Sequence, residues 1–599
     1  MRQFFKYTLA TICGIIILML IAGIFLVISI AGAVASGSST TKVKENSVFV
    51  LKMDGMVEER GEEGSPLAEL LGQADMEVLG LDDILSAIRK ARDNDDVKGI
   101  YIEGGVTAYD SPATAQQVRD ALQDFKAAGK WIVAYADQYL QGAYYVSSVA
   151  DSLFINKTGM LDLRGMGGKS YYLTGLYEKV GVRYQCTRVG KYKSAVESVT
   201  RKDMSDNDRE QRQAYLNAIW KQRTEDIAKS RGITPQQINQ LADDSIMAFA
   251  KVEDYMAAKL IDGCFYPEEI KKVMRRKLGI GENDEINQLT LTDMLAVKDE
   301  KREKGGKIAV YYAYGEIIDE QSSAFNSEHA IIGRTTVDDI DKLAADDDVK
   351  AVVMRVNSPG GSAVASEQIW HALKQLKAKK PVVVSMGGYA ASGGYMISAP
   401  ANYIFAEPTT VTGSIGIFGL VPNLSELVTD KLGVTWDGVS TNKNTDFETN
   451  LIFAKENAEE LRQMQNYVDR GYDTFLNIVA DGRGMTREQV HEIAQGRVWV
   501  ATDAIGIKLV DQLGSLDDAV KKAAELAQCA DEYYTAAYPA KESWADRLLK
   551  SATEDKGTYL DQQLRSTLGK LYDPIMQARR DAQRNPLQAR LPFLVNVSD

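Results

Sequence analysis

The chain repeats itself, and this constrains its fold more than any other feature. Asp95-Asp96-Val97-Lys98 recurs as Asp347-Asp348-Val349-Lys350, and each copy leads into a β-branched run, Gly99 to Ile102 and Ala351 to Val356. Upstream, the strand-like Ser47 to Met53 with Asp54-Gly55 matches Lys307 to Ala313 with Tyr314-Gly315. Downstream, Gly104-Gly105 parallels Gly360-Gly361, Gly142-Ala143-Tyr144 parallels Gly393-Gly394-Tyr395, and Ala258-Lys259-Leu260-Ile261-Asp262 parallels Ile507-Lys508-Leu509-Val510-Asp511. The period is about 250 residues, so the body reads as two related domains.

Expected boundaries are 46–275 and 306–535, separated by a charged linker over 276–305 that ends in Asp299-Glu300-Lys301-Arg302-Glu303-Lys304-Gly305-Gly306. Residues 536–599 are expected to form an amphipathic helical tail through Trp544, Leu548, Leu549, Leu564, Leu568 and Leu571. Within each half, short apolar strands alternate with helical stretches: Ile340 to Ala345, Ala351 to Val356, Ser366 to Lys377, Val382 to Ser385. That alternation predicts α/β structure with mainly parallel strands. Ligands then sit beyond the carboxyl ends of the strands, where the glycine-rich segments fall.

Residues 1–45 read differently. Residues 7–41 carry no charge, and Thr8 to Ala35 is almost wholly apolar. A membrane-spanning helix needs about 20 such residues, whereas a cleaved signal peptide has an apolar region of about 7–15. The segment is therefore expected to be a transmembrane anchor, although Ala33-Val34-Ala35 resembles a cleavage site. Arg2 and Lys6 keep the preceding end cytoplasmic, which sends the body across the membrane.

The formal net charge of −13 argues against nucleic acid as a partner. Four cysteines without a C-x-x-C pair make a disulfide framework or zinc site improbable on spacing grounds. The three histidines, His329, His371 and His491, show no metal-ligand spacing and leave little room for a Ser-His-Asp triad. No cofactor is implied.

Chemistry concentrates in Val382 to Tyr395, a buried strand running into Gly387-Gly388-Tyr389-Ala390-Ala391-Ser392-Gly393-Gly394 and then a helix. Small neighbours let a peptide backbone approach Ser392, and a helix start favours a developing oxyanion. A serine there also serves as a plain N-cap. A second segment, Arg355-Val356-Asn357-Ser358-Pro359-Gly360-Gly361-Ser362, ends another strand. Its N–H groups and that of Gly393 suit a two-donor oxyanion hole, though a Gly-Gly pair also makes an ordinary turn. With histidine scarce, lysine is the candidate base. An exposed lysine is neutral in only about one molecule in 10³ at physiological pH, and burial raises that share. Lys193, after Gly190, is expected to start a helix, which also disfavours a cation; spacing alone does not separate it from a surface lysine beside Lys191.

Together the segment around Lys193, the Ser-Pro-Gly-Gly-Ser turn at 358–362, Ala391-Ser392-Gly393-Gly394-Tyr395 and Val411-Thr412-Gly413-Ser414-Ile415-Gly416 resemble the signal peptide peptidase A (protease IV) family in its long, duplicated, membrane-anchored form. The resemblance covers nearly the whole chain. It departs at Ser198, after Glu197, where close relatives are expected to carry proline. The resemblance implies tandem Clp protease/crotonase-like domains preceded by one transmembrane helix. It also implies a serine endopeptidase with Ser392 as nucleophile, Lys193 as general base, Ser414 orienting the lysine, and Gly361 and Gly393 donating to the oxyanion. The implied setting is a homotetramer on the bacterial inner membrane, single-pass with its body on the periplasmic side. Its substrates would be signal-peptide remnants and other peptides.

The repeat supplies an independent sign. The slot of Ser392 holds Gln141 in the first half, and counting from Gly181 and Gly433, the slot of Lys193 holds Thr445 in the second. Each half lacks one partner, as a single composite site requires. Two other readings stay open on the sequence: an acyl-CoA enzyme of crotonase type, and a non-enzymatic scaffold that binds peptides at a membrane.

Overall fold

The computed structural model describes residues 14, 41–61, 78–244, 249–298, 304–319, 329–541 and 587–590. Each half is built on a parallel sheet. The first runs β2 (Val78–Gly80), β1 (Ser47–Glu58), β3 (Val97–Tyr109), β4 (Trp131–Tyr139), β5 (Ser152–Leu161) and β7 (Gly263–Cys264), with β8 (Gln288–Leu289) beside β1. The second centres on β9 (Gly306–Tyr314), β12 (Val349–Ser358) and β14 (Val382–Ala391). It is extended by β20 (Tyr533–Tyr538) on β9, by β15 (Tyr403–Ala406) and β16 (Val411–Gly413) on β14, by β19 (Gln512–Leu513) on β15, and by antiparallel β18 (Val498–Val500) on β16.

Helices cover both faces, so the central strands must be apolar on both sides. In β12 only Lys350 is exposed. The helices Leu81–Asp93 and Pro112–Ala127 of the first half correspond to Gly333–Ala345 and Ala363–Lys377 of the second. The long helices Asp206–Arg231 and Ala458–Arg483 end alike, at Gly232 and Gly484 in the left-handed conformation that glycine adopts without steric cost. Even single contacts repeat. Tyr144 donates to the Leu260 carbonyl at 3.0 Å and Tyr395 to that of Leu509 at 2.9 Å, while Arg231 pairs with Asp262 as Arg483 does with Asp511.

A third sheet joins the halves. It runs β11 (Ala330–Ile332), β10 (Glu316–Ile318), β13 (Gly360–Ser362), β21 (Leu587–Arg590), β17 (Phe418–Asn423) and β6 (Arg183–Arg188). Its β6 is an arm of the first half, paired antiparallel with β17 along Arg183–Arg188 opposite Phe418–Asn423. The arm brings the chain just after it, including Lys193, to the second half.

The stretch expected as a linker holds ordered first-half structure: β8 pairs with β1, and the helix Leu291–Ala296 buries Met294 in the first core. The charged run at 299–303, all of the apolar run Thr8 to Ala35 except residue 14, and the amphipathic stretch from Trp544 to Leu571 lie outside the described residues. The described elements of the tail expected to be helical over 536–599 are strands, β20 (Tyr533–Tyr538) and β21 (Leu587–Arg590), each paired to a strand of the second half. Among the described residues no helix is long and apolar enough to cross a membrane.

Candidate active site

Ser392 sits where β14 ends and the helix Gly393–Ser398 begins. Its backbone has φ 56° and ψ −116°, a region that non-glycine residues occupy at a cost of about 1–3 kcal/mol and that clusters at functional sites. The conformation is held at both ends: Ser392 N–H donates to the Gly413 carbonyl at 2.8 Å, and its carbonyl accepts from Met396 N–H at 2.9 Å. The side chain caps no helix, so the hydroxyl is left for another partner.

That partner is Lys193. Its Nζ lies 2.8 Å from Ser392 Oγ and 3.0 Å from both the hydroxyl and the carbonyl oxygen of Ser414. Lys193, Ser392 and Ser414 are all 0% exposed. Contrary to the sequence expectation, Lys193 does not start a helix. The next helix is the short Glu197–Thr200, and the lysine lies in the turns before it.

Contacts from both halves fix the lysine's backbone. Tyr192 N–H donates to the Gln495 carbonyl at 3.0 Å, and Arg188 Nη1 to the Lys193 carbonyl at 3.1 Å. Gln211 donates to the Tyr192 carbonyl at 3.0 Å and accepts from Val498 N–H at 3.2 Å. Gly496, at φ 81°, passes so close that a Cβ there would meet Lys193 N at 2.6 Å. None of these partners was legible in the sequence: Gln495, Gly496 and Val498 are about 300 positions away, and Arg188 and Gln211 lack a motif of their own.

Ser414, at φ 50°, follows β16, and its N–H donates to the Arg497 carbonyl at 2.6 Å. Gly393 opens the helix after Ser392. Gly361 lies in β13, paired with Ile317 of β10 so closely that a Cβ would overlap the Ile317 carbonyl oxygen. On its other side Gly361 is opposite Ala589 of β21. This strand lies antiparallel between β13 and β17, with Gln588 opposite both Ser362 and Phe418. A single extended strand thus fits between the two walls, β13 and β17.

The equivalent place in the first half is filled differently. Gln141 begins the helix Gln141–Ser147, and its Oε1 accepts from Arg164 and Gly165 N–H, each at 3.0 Å. Thr445, counted into the slot of Lys193, is exposed and bonded to the Asn442 carbonyl.

Comparison with known proteins agrees with the duplication. The family model described as Peptidase family S49 matches twice, at residues 124–280 and 374–530, and the Clp protease model matches residues 315–410. Protease 4 of Salmonella typhi is 37% identical over 81% of this chain and 78% of its own length. Protease 4 of Haemophilus influenzae is 34% identical over 84% and 83%. The chloroplastic serine protease SPPA of Arabidopsis thaliana is 29% identical over 69% and 61%.

Proposed function

The chain belongs to peptidase family S49 and is a serine peptidase built from tandem S49/Clp protease-like α/β domains; from this we propose that it hydrolyses peptides with Ser392 as nucleophile and Lys193 as general base. The observation that carries the reading is the 2.8 Å contact between the lysine amine and the serine hydroxyl, both residues being 0% exposed. A base of this kind must be uncharged when it acts, and desolvation favours that state.

Lys193 takes the Ser392 proton, and the alkoxide attacks the scissile carbonyl carbon. The resulting oxyanion is met by the N–H groups of Gly361 and Gly393. The tetrahedral intermediate collapses as Lys193 returns the proton to the leaving amine, giving an acyl-enzyme. Water, deprotonated by the same lysine, then releases the acid. Ser414, bonded to Nζ through both oxygens, keeps the amine aimed at Ser392 Oγ.

The peptide binds extended, adding its backbone to the edges of β13 and β17 in the slot that β21 fills. The apolar Thr8 to Ala35 anchors the chain in the bacterial inner membrane, with the body on the periplasmic side and assembled as a homotetramer. In that setting the substrates are signal-peptide remnants and other short apolar peptides.

The test is hydrolysis of a leucine-rich, signal-like peptide by the detergent-solubilised protein, with Lys193→Ala and Ser392→Ala alongside, between about pH 6 and 10. Activity lost in both variants supports the dyad. Activity that survives in the lysine variant places the base elsewhere.

A further inference from the structure

The two strands that deliver the active-site groups are tied together by a side chain held from across the domain boundary. The ladder between β12 and β14 runs to Val356 opposite Met386, breaks, and resumes at Ser358 opposite Ala390. Asn357 therefore faces Gly387-Gly388-Tyr389. Just beyond this break, β12 leads into the Gly360-Gly361 segment and β14 leads to Ser392.

The Asn357 side chain replaces the missing pairing, with Oδ1 accepting from Tyr389 N–H at 3.0 Å. Its Nδ2 donates to Asp110 Oδ2 at 2.9 Å and to Glu59 Oε2 at 3.2 Å, both carboxylates of the first half. Glu59 is secured by Arg355 Nε at 2.5 Å, and Arg355 also reaches Ser385 Oγ and Gln117 Oε1, each at 2.9 Å. Asp110 is secured by a hydrogen bond from Thr114 Oγ1. Glu59 is 2% exposed and Arg355 0%.

The glycines at the break belong to the same fit. A Cβ on Gly387 would meet Glu59 Oε2 at 2.9 Å, and one on Gly388 would overlap Ser111. The first half is pressed into the gap in the second half's ladder. Counting from Asp95–Lys98 and Asp347–Lys350, the first half has Glu103 and Gly105 in the slots of Arg355 and Asn357, and Glu103 is exposed. The clamp occurs in the half that carries the serine.

We propose that Asn357, gripped by Glu59 and Asp110, is a positioning residue that sets the spacing between the Gly361 N–H and Ser392 Oγ. It touches none of the reacting atoms and acts through the two strand ends. The proposal rests on the roles assigned to Ser392 and Gly361.

The test counts competent sites first, by labelling Ser392 with a fluorophosphonate, and then measures kcat per labelled site and KM on a peptide substrate. Wild type that does not label would undo the assignment of Ser392, and this proposal with it; intact labelling with the kinetic expectations unmet would overturn this proposal alone. With labelling intact, Asn357→Ala is expected to lower kcat per site at least about tenfold while KM stays within about twofold, as for a misaligned oxyanion donor. Asp110→Ala serves where Asn357→Ala does not fold, and Asp110→Asn, which keeps an acceptor for Asn357 Nδ2, is expected to restore most of the loss. Unchanged kcat per labelled site in both alanine variants would overturn the proposal, as would an Asp110→Asn enzyme no better than Asp110→Ala. A structural role alone would lower the labelled fraction and leave kcat per site unmoved.

Discussion

Lys193 Nζ and Ser392 Oγ meet at 2.8 Å although 199 positions separate them in sequence. The contact depends on the first-half arm β6 pairing with β17 of the second half, which carries the lysine across the boundary.

Removing either partner is expected to abolish peptide hydrolysis. In dyads and triads that act as a unit, single deletions cost about as much as removing the whole set, so Ser392→Ala and Lys193→Ala should each lose at least about 10³-fold in kcat. Ser414→Ala should lose less, about 10- to 100-fold, because the Ser414 carbonyl still accepts from Nζ at 3.0 Å. Steady-state kinetics on a peptide substrate checks both the losses and their order.

Gly496→Ala should impair the enzyme without touching a reactive group. The new Cβ would meet Lys193 N at 2.6 Å and its Cβ at 2.7 Å, at a φ of 81° that alanine adopts poorly. A loss of about 1–3 kcal/mol in stability is expected, together with lower kcat as the lysine shifts. Denaturant melts and kinetics on the same sample read the two effects.

Two buried carboxyls should make the fold more stable in mild acid than in base. Burial raises Glu407 to about 8, and burial with the neighbouring Glu59 raises Asp110 to about 7, from ordinary values of 4.5 and 3.8. The folded protein therefore holds protons that the unfolded chain has released. Their stabilising effect is complete below the ordinary values and is lost as pH rises through about 7 to 8. Glu407→Gln should raise the melting temperature at pH above about 8 more than at pH 5 and flatten the pH dependence. Equal shifts at both values would contradict this.

Deleting the chain from residue 587 onward should free the backbone edges of β13 and β17. A peptide then enters without displacing β21. Lower KM for short peptides is expected, with inhibition by a synthetic peptide of residues 587–599 added back. Unchanged KM and no inhibition would mean that substrate lies elsewhere.

The repeat, the alternating strands and helices, and the glycine-rich strand ends were legible because they are local patterns of apolar spacing and turn residues. Ser392 stands out by its small neighbours, but the roles of Lys193 and Ser414 need the family resemblance, since nothing local marks the lysine as buried. The pairing of β6 with β17, the place of β21 and the grip of Glu59 on Arg355 join positions hundreds of residues apart and leave no periodic trace. The stretch Gln288 to Ala296 looked like a linker because its strand is only two residues long, too short to show alternation.

A protease endangers its own synthesis, because an unfinished chain offers its neighbours as prey. Here the amine is made long before the hydroxyl, and the two meet only when the first-half arm closes onto a strand that emerges later still. On the proposed roles, a ribosome-bound fragment holding Lys193 alone lacks the nucleophile, and an isolated second half lacks the base. On that reading the topology withholds the paired site until both halves have folded together.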